Sequence, residues 1–357
     1  MTRVHPSGGL RRSLAAAALI LMATTGCAGA DRAGPRQEPT PDDTLDTAIT
    51  GAMDTAEIPG AIVGVWSPER EYVRAFGIAD TTTGTPMKTD FYHRIGSVTK
   101  TFTATAVLQL AGDGRFGLDD PIGRYVDGVP GGESITVRQL AGMRSGLADY
   151  TRSDGFQAAV AANPRADFTP RQLLEWAFAL PPVSPPDAQV EYCNTNYILL
   201  GLLVEQVTGA SFGDYLSEAI LAPLGMAHTS FPAGTQFPEP HARGYTEPVD
   251  GTGPPVDASG WSAGLTWAAG AMISTLEDMR IWLPVLASGS LLKPELQAER
   301  LHTRPEPGTP TVFGYGLGVF RVGGWIGHNG SVPGYQTVAV HLPEQQTTLV
   351  VMINTDI

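Results

Sequence analysis

A serine and a lysine separated by two residues are the side chains of this sequence best suited to chemistry. Ser97 and Lys100 lie three positions apart, so on a helix they share one face. A serine hydroxyl needs a base to become a nucleophile, and a buried lysine can lose its proton near neutral pH and act as that base. The pair predicts acyl transfer through Ser97. The alternative is a helix cap followed by a solvated lysine.

Two further motifs add polar side chains to this pair. Tyr192 and Asn194 form the single Tyr-x-Asn of the chain, in which the phenol could relay a proton and the amide could hold a substrate amide. His328, Asn329 and Gly330 precede a predicted strand, and the glycine would let a substrate backbone approach closely. The alternatives are a buried tyrosine with a turn asparagine, and a surface turn.

Three other serines lie in motifs that resemble nucleophile sites. Ser290 and Lys293 repeat the Ser-x-x-Lys spacing, but Pro294 then starts a short helix and no partner motif follows. Ser211 and Ser262 each occupy a Gly-x-Ser-x-Gly pattern, which in α/β-hydrolases requires a strand before the serine and a helix after it. Ser211 follows a predicted helix and Ser262 lies in a Gly/Pro-rich loop. We therefore interpret all three as structural.

Strand and helix patterns occupy different parts of the chain. Short apolar or alternating runs predict strands at 61–66, 72–78, 315–321, 334–341 and 347–354. Helical patterns occur at 44–57, 103–111, 171–180, 197–207, 212–221 and 275–286. Strands at both ends with helices between them predict an α/β fold of the α+β type. One antiparallel sheet would be built from both ends of the chain, with an all-helical subdomain at about 98–230 inserted into it.

The three motifs, in this order and with long gaps, resemble the serine β-lactamase and penicillin-binding protein superfamily. The similarity covers residues 44–355 and is greatest to the class C β-lactamase-like branch, especially its DD-carboxypeptidases with a His-x-Gly third motif. Other matching stretches are residues 94–102, 135–140, 145–147, 223–226 and 314–318. The resemblance implies a β-lactamase/transpeptidase-like catalytic domain over 44–357, with an antiparallel sheet flanked by helices.

The resemblance also implies a role for each motif residue. Ser97 would be acylated, and Lys100 and Tyr192 would share the general acid and base work. Asn194 would bind substrate, and His328 would close the far side of the site.

Other implied substrate contacts are less directly fixed by the motifs. The backbone N–H groups of Ser97 and Ser331 would form an oxyanion hole, beside Gly330. Asn329 stands where relatives more often carry threonine. Trp267 would line the pocket, and Arg321 is a candidate carboxylate binder.

The function implied is that of a serine hydrolase resembling D-alanyl-D-alanine carboxypeptidases of cell-wall peptides. The substrate would be a small molecule or a peptidoglycan peptide, with β-lactams as acylating ligands. An esterase and a class C-like β-lactamase are the alternatives, and slow β-lactam turnover is expected because a neutral histidine replaces a lysine. A non-catalytic penicillin-binding sensor would be expected to lose Ser97, Lys100 or Tyr192, all of which are present.

The first 30 residues have the pattern of an export signal, with a basic start followed by a short apolar run. Cys27 follows Thr25 and Gly26, which resembles a lipobox and predicts lipidation, and an ordinary signal-peptidase site at Ala30 is the alternative. Residues 31–43 are rich in proline and charge and are predicted to be a linker. Either route puts the protein outside the cytoplasm, as a membrane lipoprotein or as a secreted or periplasmic protein.

The formal net charge of -13 disfavours nucleic acid as a partner, and leaves a lipid anchor as the expected membrane attachment. The spacing of cysteines and histidines does not resemble a zinc site, and we expect no metal and no cofactor. Cys193 is expected to be a free thiol, and the protein a monomer. Relatives continue beyond the last strand into a helix, so either this sequence stops short or that sheet face is covered otherwise.

Overall fold

The sheet at the centre of the fold is built from both ends of the chain. The computed structural model describes residues 40–305, 307–310 and 313–357. In chain order the strands are β1 (Gly60–Trp66), β2 (Glu71–Asp80), β3 (Thr85–Pro86), β4 (His93–Arg94), β5 (Tyr245–Thr246), β6 (Val256–Asp257), β7 (Ile273–Ser274), β8 (Phe313–Tyr315), β9 (Phe320–Val322), β10 (Trp325–Val332), β11 (Tyr335–Leu342) and β12 (Thr347–Ile353). Eight of them form one sheet in the order β3-β2-β1-β12-β11-β10-β9-β8, and β4 pairs with β7 and β5 with β6. Every pairing within the large sheet is antiparallel, as predicted.

Most helices lie in the middle of the chain, and a few of the helices pack on the sheet. They are α1 (Pro41–Thr55), α2 (Thr99–Gly112), α3 (Val137–Ala141), α4 (Asp154–Ala162), α5 (Pro170–Phe178), α6 (Asn194–Thr208), α7 (Phe212–Leu216), α8 (Ala222–Leu224), α9 (Leu276–Ser288) and α10 (Pro294–Leu301). A π-helical stretch, Ser217–Leu221, joins α7 to α8. Between β4 and β5 the regular elements are helices, which confirms the mixed α/β fold with helices inserted into an antiparallel sheet.

The central strands are apolar along nearly their whole length because both faces of the sheet are covered. On β1, Ile62 and Val63 point to opposite faces, yet both are almost fully buried. Helix α9 packs on β1, β11 and β12 from one side. Helix α1 lies on the other side, where a groove of about 840 Å³ runs between it and the sheet and reaches Ile357.

Two details of the strand predictions were wrong, both near the third motif. Residues 315–321 form not one strand but two, β8 and β9, because Gly318 at φ +77° turns the chain inward against α2, where a side chain would collide with Ala104. His328 and Gly330 lie inside β10 rather than before a strand. Glycine and polar residues weaken the strand signal of this segment, and pairing with β11 overrides that weak propensity.

The N-terminal helix begins earlier than the sequence pattern suggested. Thr40 caps α1, which starts at Pro41, so residues 41–43 of the predicted linker form its first turn. Cys27 and the predicted export signal lie outside the described residues. Among the helices that the structure describes, none has the length and apolar character needed to cross a bilayer.

Candidate active site

Ser97 lies where β4 leads into α2, in the short 3-10 turn Gly96–Val98. Gly96 adopts φ +54°, and a side chain there would come within 2.8 Å of the backbone nitrogen of Ser331. Only glycine fits this left-handed and crowded position. The turn therefore holds Ser97 at the N-terminal end of a buried helix and directly beside β10.

Lys100 is fully buried one turn later, facing Ser97. Its Nζ lies 2.9 Å from Ser97 Oγ, 2.8 Å from Asn194 Oδ1 and 2.7 Å from the backbone oxygen of Ala269. Burial lowers the pKa of Lys100 to about 7, and the nearby Asp149 carboxylate opposes this shift. The neutral amine has two N–H groups, which can donate to the amide oxygen of Asn194 and the backbone oxygen of Ala269. Its lone pair then faces Ser97. The arrangement can remove the serine proton.

Tyr192 completes the contacts of the serine oxygen. Its hydroxyl donates to Ser97 Oγ at 2.7 Å, and its ring lies 4.8 Å from Lys100 Nζ. Burial raises the pKa of Tyr192 well above its usual value, so the phenol stays protonated as a donor. Ser97 Oγ thus lies between an amine that can act as a base and a hydroxyl that donates to it.

Asn194 lies at the first position of α6 and is hydrogen-bonded at both ends of its amide. Its oxygen accepts from Lys100, and its Nδ2 donates to Asp149 Oδ2 at 2.9 Å. The backbone N–H of Asn194 donates to the same carboxylate oxygen at 3.0 Å. The predicted substrate-binding role of Asn194 stays a prediction.

His328 is buried on β10, and both of its ring nitrogens have hydrogen-bond partners. Its Nδ1 donates to the backbone oxygen of Asn329, and its Nε2 accepts from the hydroxyl of Tyr315 at 3.0 Å. Burial, together with the charge of Lys100, lowers the pKa of His328 to about 3. The imidazole therefore carries no charge at neutral pH, as the sequence interpretation expected.

The outer edge of β10 faces the serine turn. Strand β9 pairs with residues 325–327 of β10, so the rest of β10 extends past it. A side chain at Gly330 would lie 3.0 Å from the backbone nitrogen of Ser97 and 2.0 Å from the oxygen of Ile95, which explains the glycine. The amides of Ser97 and Ser331 are therefore neighbours, the placement that an oxyanion hole requires. Their predicted role stays a prediction.

The remaining candidates lie around this centre. Asn329 is half-buried on β10, and Arg321 is exposed on β9 opposite Ile326. The indole of Trp267 packs on Phe212, 5.4 Å between ring centroids, so the ring takes part in the packing of the helical region. Lining of the pocket by Trp267 and carboxylate binding by Arg321 stay predictions.

Sequence reasoning missed three groups of the site: the Asp149 carboxylate, the Tyr315 hydroxyl and the carbonyl of Ala269. Asp149 and Tyr315 lie inside or next to stretches that carry the family resemblance. A single acid or tyrosine has no characteristic spacing to a partner, and a backbone carbonyl leaves no mark in the sequence at all. Asp149 could have been found only by its position two residues after Ser145-Gly146-Leu147.

The rival serines have structural roles. Ser211 caps α7 by accepting from the backbone N–H of Asp214, and Ser262 caps a short 3-10 turn. Ser290 precedes α10, which Pro294 begins, and Lys293 donates to the backbone oxygen of Gly112. None of these serines has the strand–serine–helix setting of a nucleophile elbow.

Cys193, between the two residues of the second motif, is a free and buried thiol. Its Sγ donates to the backbone oxygen of Leu147, and burial raises the pKa of the thiol to about 12. Thiolate chemistry is therefore disfavoured there. Among the described residues, no cluster of three or more His, Cys, Asp or Glu side chains could hold a metal ion.

A half-buried serine between a buried amine and a phenol, on a helix that packs against an antiparallel sheet, defines a serine hydrolase of the β-lactamase/transpeptidase-like class. The family model described as Beta-lactamase matches residues 45–357. The chain therefore belongs to the β-lactamase family of serine hydrolases.

Several known proteins are similar over most of this chain. A D-stereospecific amidohydrolase from Streptomyces has a TM-score of 0.78 and 32% identity, covering 84% of this chain and 90% of that one. A D-amino acid amidase from Ochrobactrum anthropi has a TM-score of 0.74 and 29% identity, covering 85% and 88%. A D-aminopeptidase from Cereibacter sphaeroides is 30% identical over 331 residues, 87% of this chain and 60% of the relative. The chain spans 60–62% of the length of the curated relatives it matches.

Proposed function

We propose that the protein hydrolyses amide or peptide bonds that follow a D-amino acid residue, through an acyl-enzyme on Ser97. The observation that carries the proposal is the neutral imidazole of His328, whose two nitrogens are both hydrogen-bonded within the protein. A carboxypeptidase has to hold the carboxylate of its leaving residue, which a fixed cation does best. Because His328 supplies no charge, a leaving group without a carboxylate, such as ammonia or an amine, fits the β10 side of the site. The DD-carboxypeptidases that this chain resembles also carry histidine here, so in a carboxypeptidase the cation would have to come from another residue.

The descriptions of the similar proteins and the net charge of this chain support the same substrate class. The similar proteins are described as a D-stereospecific amidohydrolase, a D-amino acid amidase and a D-aminopeptidase. Amides of free D-amino acids carry a protonated amino group near neutral pH, and the formal net charge of -13 attracts such cations.

The proposed reaction begins with transfer of the Ser97 proton to the lone pair of Lys100. The serine oxygen then forms a bond to the substrate carbonyl carbon, and the negative charge moves to the carbonyl oxygen near the amides of Ser97 and Ser331. Tyr192 gives its proton to the leaving nitrogen as the amide bond breaks, and recovers one from Lys100. Water then cleaves the acyl-serine ester by the same proton transfers in reverse order.

A D-alanyl-D-alanine carboxypeptidase is the second candidate. The observation that favours it is the exposed guanidinium of Arg321 on β9, the strand next to the one that carries His328. Such a group could hold a terminal carboxylate if the substrate extends past β10. In both candidates β-lactams would acylate Ser97, with slow turnover, and simple esters would be side substrates.

One panel of substrates distinguishes these functions. Values of kcat/KM would be compared for D-alanine p-nitroanilide, its L-enantiomer, a diacyl-D-Ala-D-Ala peptide, nitrocefin and p-nitrophenyl acetate. We expect the D-anilide to be hydrolysed fastest and the L-anilide at least tenfold more slowly, a difference of about 1.4 kcal/mol. If the peptide is cleaved fastest, the protein is a carboxypeptidase. If nitrocefin is cleaved fastest, it is a β-lactamase, and if only the ester is cleaved, it is an esterase.

We further propose that the protein is exported and lipidated on Cys27. The apolar run before Cys27 and the proline-rich segment after it support this proposal. Metabolic palmitate labelling should be present in the full chain and lost in Cys27→Ser. An unlabelled protein that begins at Asp31 would show ordinary secretion instead.

A further inference from the structure

Asp149 is buried beside the site, with only 6% of its surface exposed, and four donors converge on its carboxylate. Its Oδ1 accepts from the backbone N–H and the hydroxyl of Thr151, at 3.0 and 2.9 Å. Its Oδ2 accepts from the backbone N–H and the side-chain Nδ2 of Asn194, at 3.0 and 2.9 Å. An ionised carboxylate, which accepts only, matches this set of donors.

This environment settles which way round the amide of Asn194 lies. If the amide were reversed, its oxygen would face the carboxylate of Asp149 and its NH2 group would face the amine of Lys100. The contact with Asp149 would be repulsive, because two acceptor oxygens would meet, and the NH2 group could be satisfied only by taking the lone pair of the neutral Lys100 amine. The carboxylate therefore selects the orientation in which Asn194 Oδ1 accepts from Lys100 Nζ at 2.8 Å.

The orientation of the amide in turn decides where the lone pair of Lys100 points. The backbone oxygen of Ala269 fixes one N–H of the amine, and Asn194 Oδ1 fixes the second. In the neutral amine, the remaining position is the lone pair, which faces Ser97 Oγ at 2.9 Å. A flipped amide would compete for that lone pair and leave the serine without its base.

We propose that Asp149 is a positioning residue for the acyl-transfer reaction, which orients the Asn194 amide and thereby aims the lone pair of Lys100 at Ser97. The hydrogen bonds described for its carboxylate are with Thr151 and Asn194 and not with Ser97. The inference rests on hydrolysis through Ser97, but not on which amide, peptide or ester is the substrate.

The charge of Asp149 gives a second, independent signature. Asp149 raises the pKa of Lys100 against the larger lowering by burial, so removal of the carboxylate charge should lower this pKa further below about 7. The other titratable groups around the amine are the rings of Tyr192 and Tyr197, the buried thiol of Cys193 and the imidazole of His328. None of these is altered by a substitution at position 149.

The test compares acylation by a fluorescent penicillin in Asp149→Asn, Asn194→Ala and the double variant. Thr151→Val is the matched control, because it removes a donor to the other carboxylate oxygen and leaves the contacts of Asn194 in place. We expect Asp149→Asn to slow acylation at pH 7 by about tenfold or more, against less than about twofold for Thr151→Val. In a protein that already carries Asn194→Ala, Asp149→Asn should slow acylation by less than about threefold, because the amide that Asp149 orients is gone.

The dependence of acylation on pH adds a measurement that a purely structural role would not change. The acidic limb of the profile should move to lower pH in Asp149→Asn and stay in place in Asp149→Glu, which keeps the charge and also serves if the asparagine variant does not fold. The proposal would be overturned if Asp149→Asn were acylated at the wild-type rate, or if the substitution slowed acylation equally with and without Asn194. It would also be overturned if the acidic limb of the pH profile did not move. A wild-type protein that is not acylated at all would instead contradict the proposed function.

Discussion

The amine of Lys100 lies 2.9 Å from the hydroxyl of Ser97, and the lysine is shut off from solvent while the serine is partly exposed. The amine is therefore held out of water among polar partners, and the hydroxyl can be reached from solvent. This difference in burial places a lysine whose pKa is lowered to about 7 next to a hydroxyl that a substrate can reach.

The pH dependence of hydrolysis should follow the protonation of Lys100. Burial lowers the pKa of Lys100 to about 7, and only the neutral amine can take the serine proton. Activity should fall as pH decreases through about 7, and should reach its plateau above that value. Initial rates of anilide hydrolysis between pH 5 and 9 would test this, and an unchanged rate down to pH 5 would contradict a lysine base.

Covalent labelling should depend on Ser97 and not on the second Ser-x-x-Lys pair. We expect Ser97→Ala to abolish labelling by a fluorescent penicillin, because the acylated oxygen is removed. Ser290→Ala is the control and should label like the wild type, since Ser290 lies before α10, where Lys293 bonds to Gly112. Gel fluorescence after a fixed time measures both, and a labelled Ser97→Ala would mean that the nucleophile is another residue.

Loss of the Tyr192 hydroxyl should affect amides more than activated esters. The hydroxyl donates to Ser97 at 2.7 Å and is the group proposed to protonate the leaving nitrogen. Tyr192→Phe should lower kcat for the anilide by about 100-fold or more, as loss of a general acid does. The effect on p-nitrophenyl acetate should be smaller, because p-nitrophenolate leaves without a proton. Equal losses on both substrates would argue for a structural role of the tyrosine.

The stability of the fold should depend on pH through His328. Its pKa is about 3 in the folded protein and about 6.5 in an unfolded chain, so the unfolded chain binds the proton first as pH falls. Stability is therefore lost as pH decreases below about 6.5, by about 2 kcal/mol at pH 5.

Denaturant unfolding at pH 7.5 and pH 5 would measure this loss. In His328→Gln the amide can replace both hydrogen bonds without titrating, so the loss should shrink by about 2 kcal/mol. His302→Gln, at an exposed position, is the control and should keep the wild-type loss. The same loss in His328→Gln as in the wild type would contradict a neutral buried imidazole.

The thiol of Cys193 should be inert in the folded protein. It is buried, and its pKa is raised to about 12, so little thiolate is present near neutral pH. In a Cys27→Ser background, a thiol reagent should find no reactive group in the native state and one after unfolding in denaturant. Cys193→Ser should retain most of the activity. Rapid modification in the native state, with loss of activity, would require a thiol mechanism to be reconsidered.

Sequence patterns predicted the features of this structure that form between residues close together in the chain. The hairpin of β1 and β2 and the Ser97–Lys100 pair lie close together in the sequence, and the structure forms them where the patterns indicated. The turn at Gly318 was missed because it arises from contact with α2, a distant element. The orientation of Asn194 was missed for the same reason, since it depends on Asp149 from a separate loop. Contacts between remote segments leave no periodic signal in a sequence.

Because β1 pairs with β12, and the turn that carries Ser97 packs on β10, the site closes only when remote parts of the chain have met. Such long-range pairing carries a large loop-closure entropy and belongs to slowly folding topologies. Helices of the middle region can form early, while the neighbouring amides of Ser97 and Ser331 come together only as the sheet is completed. The ability to be acylated should therefore appear late during refolding, after most of the helical circular dichroism has returned.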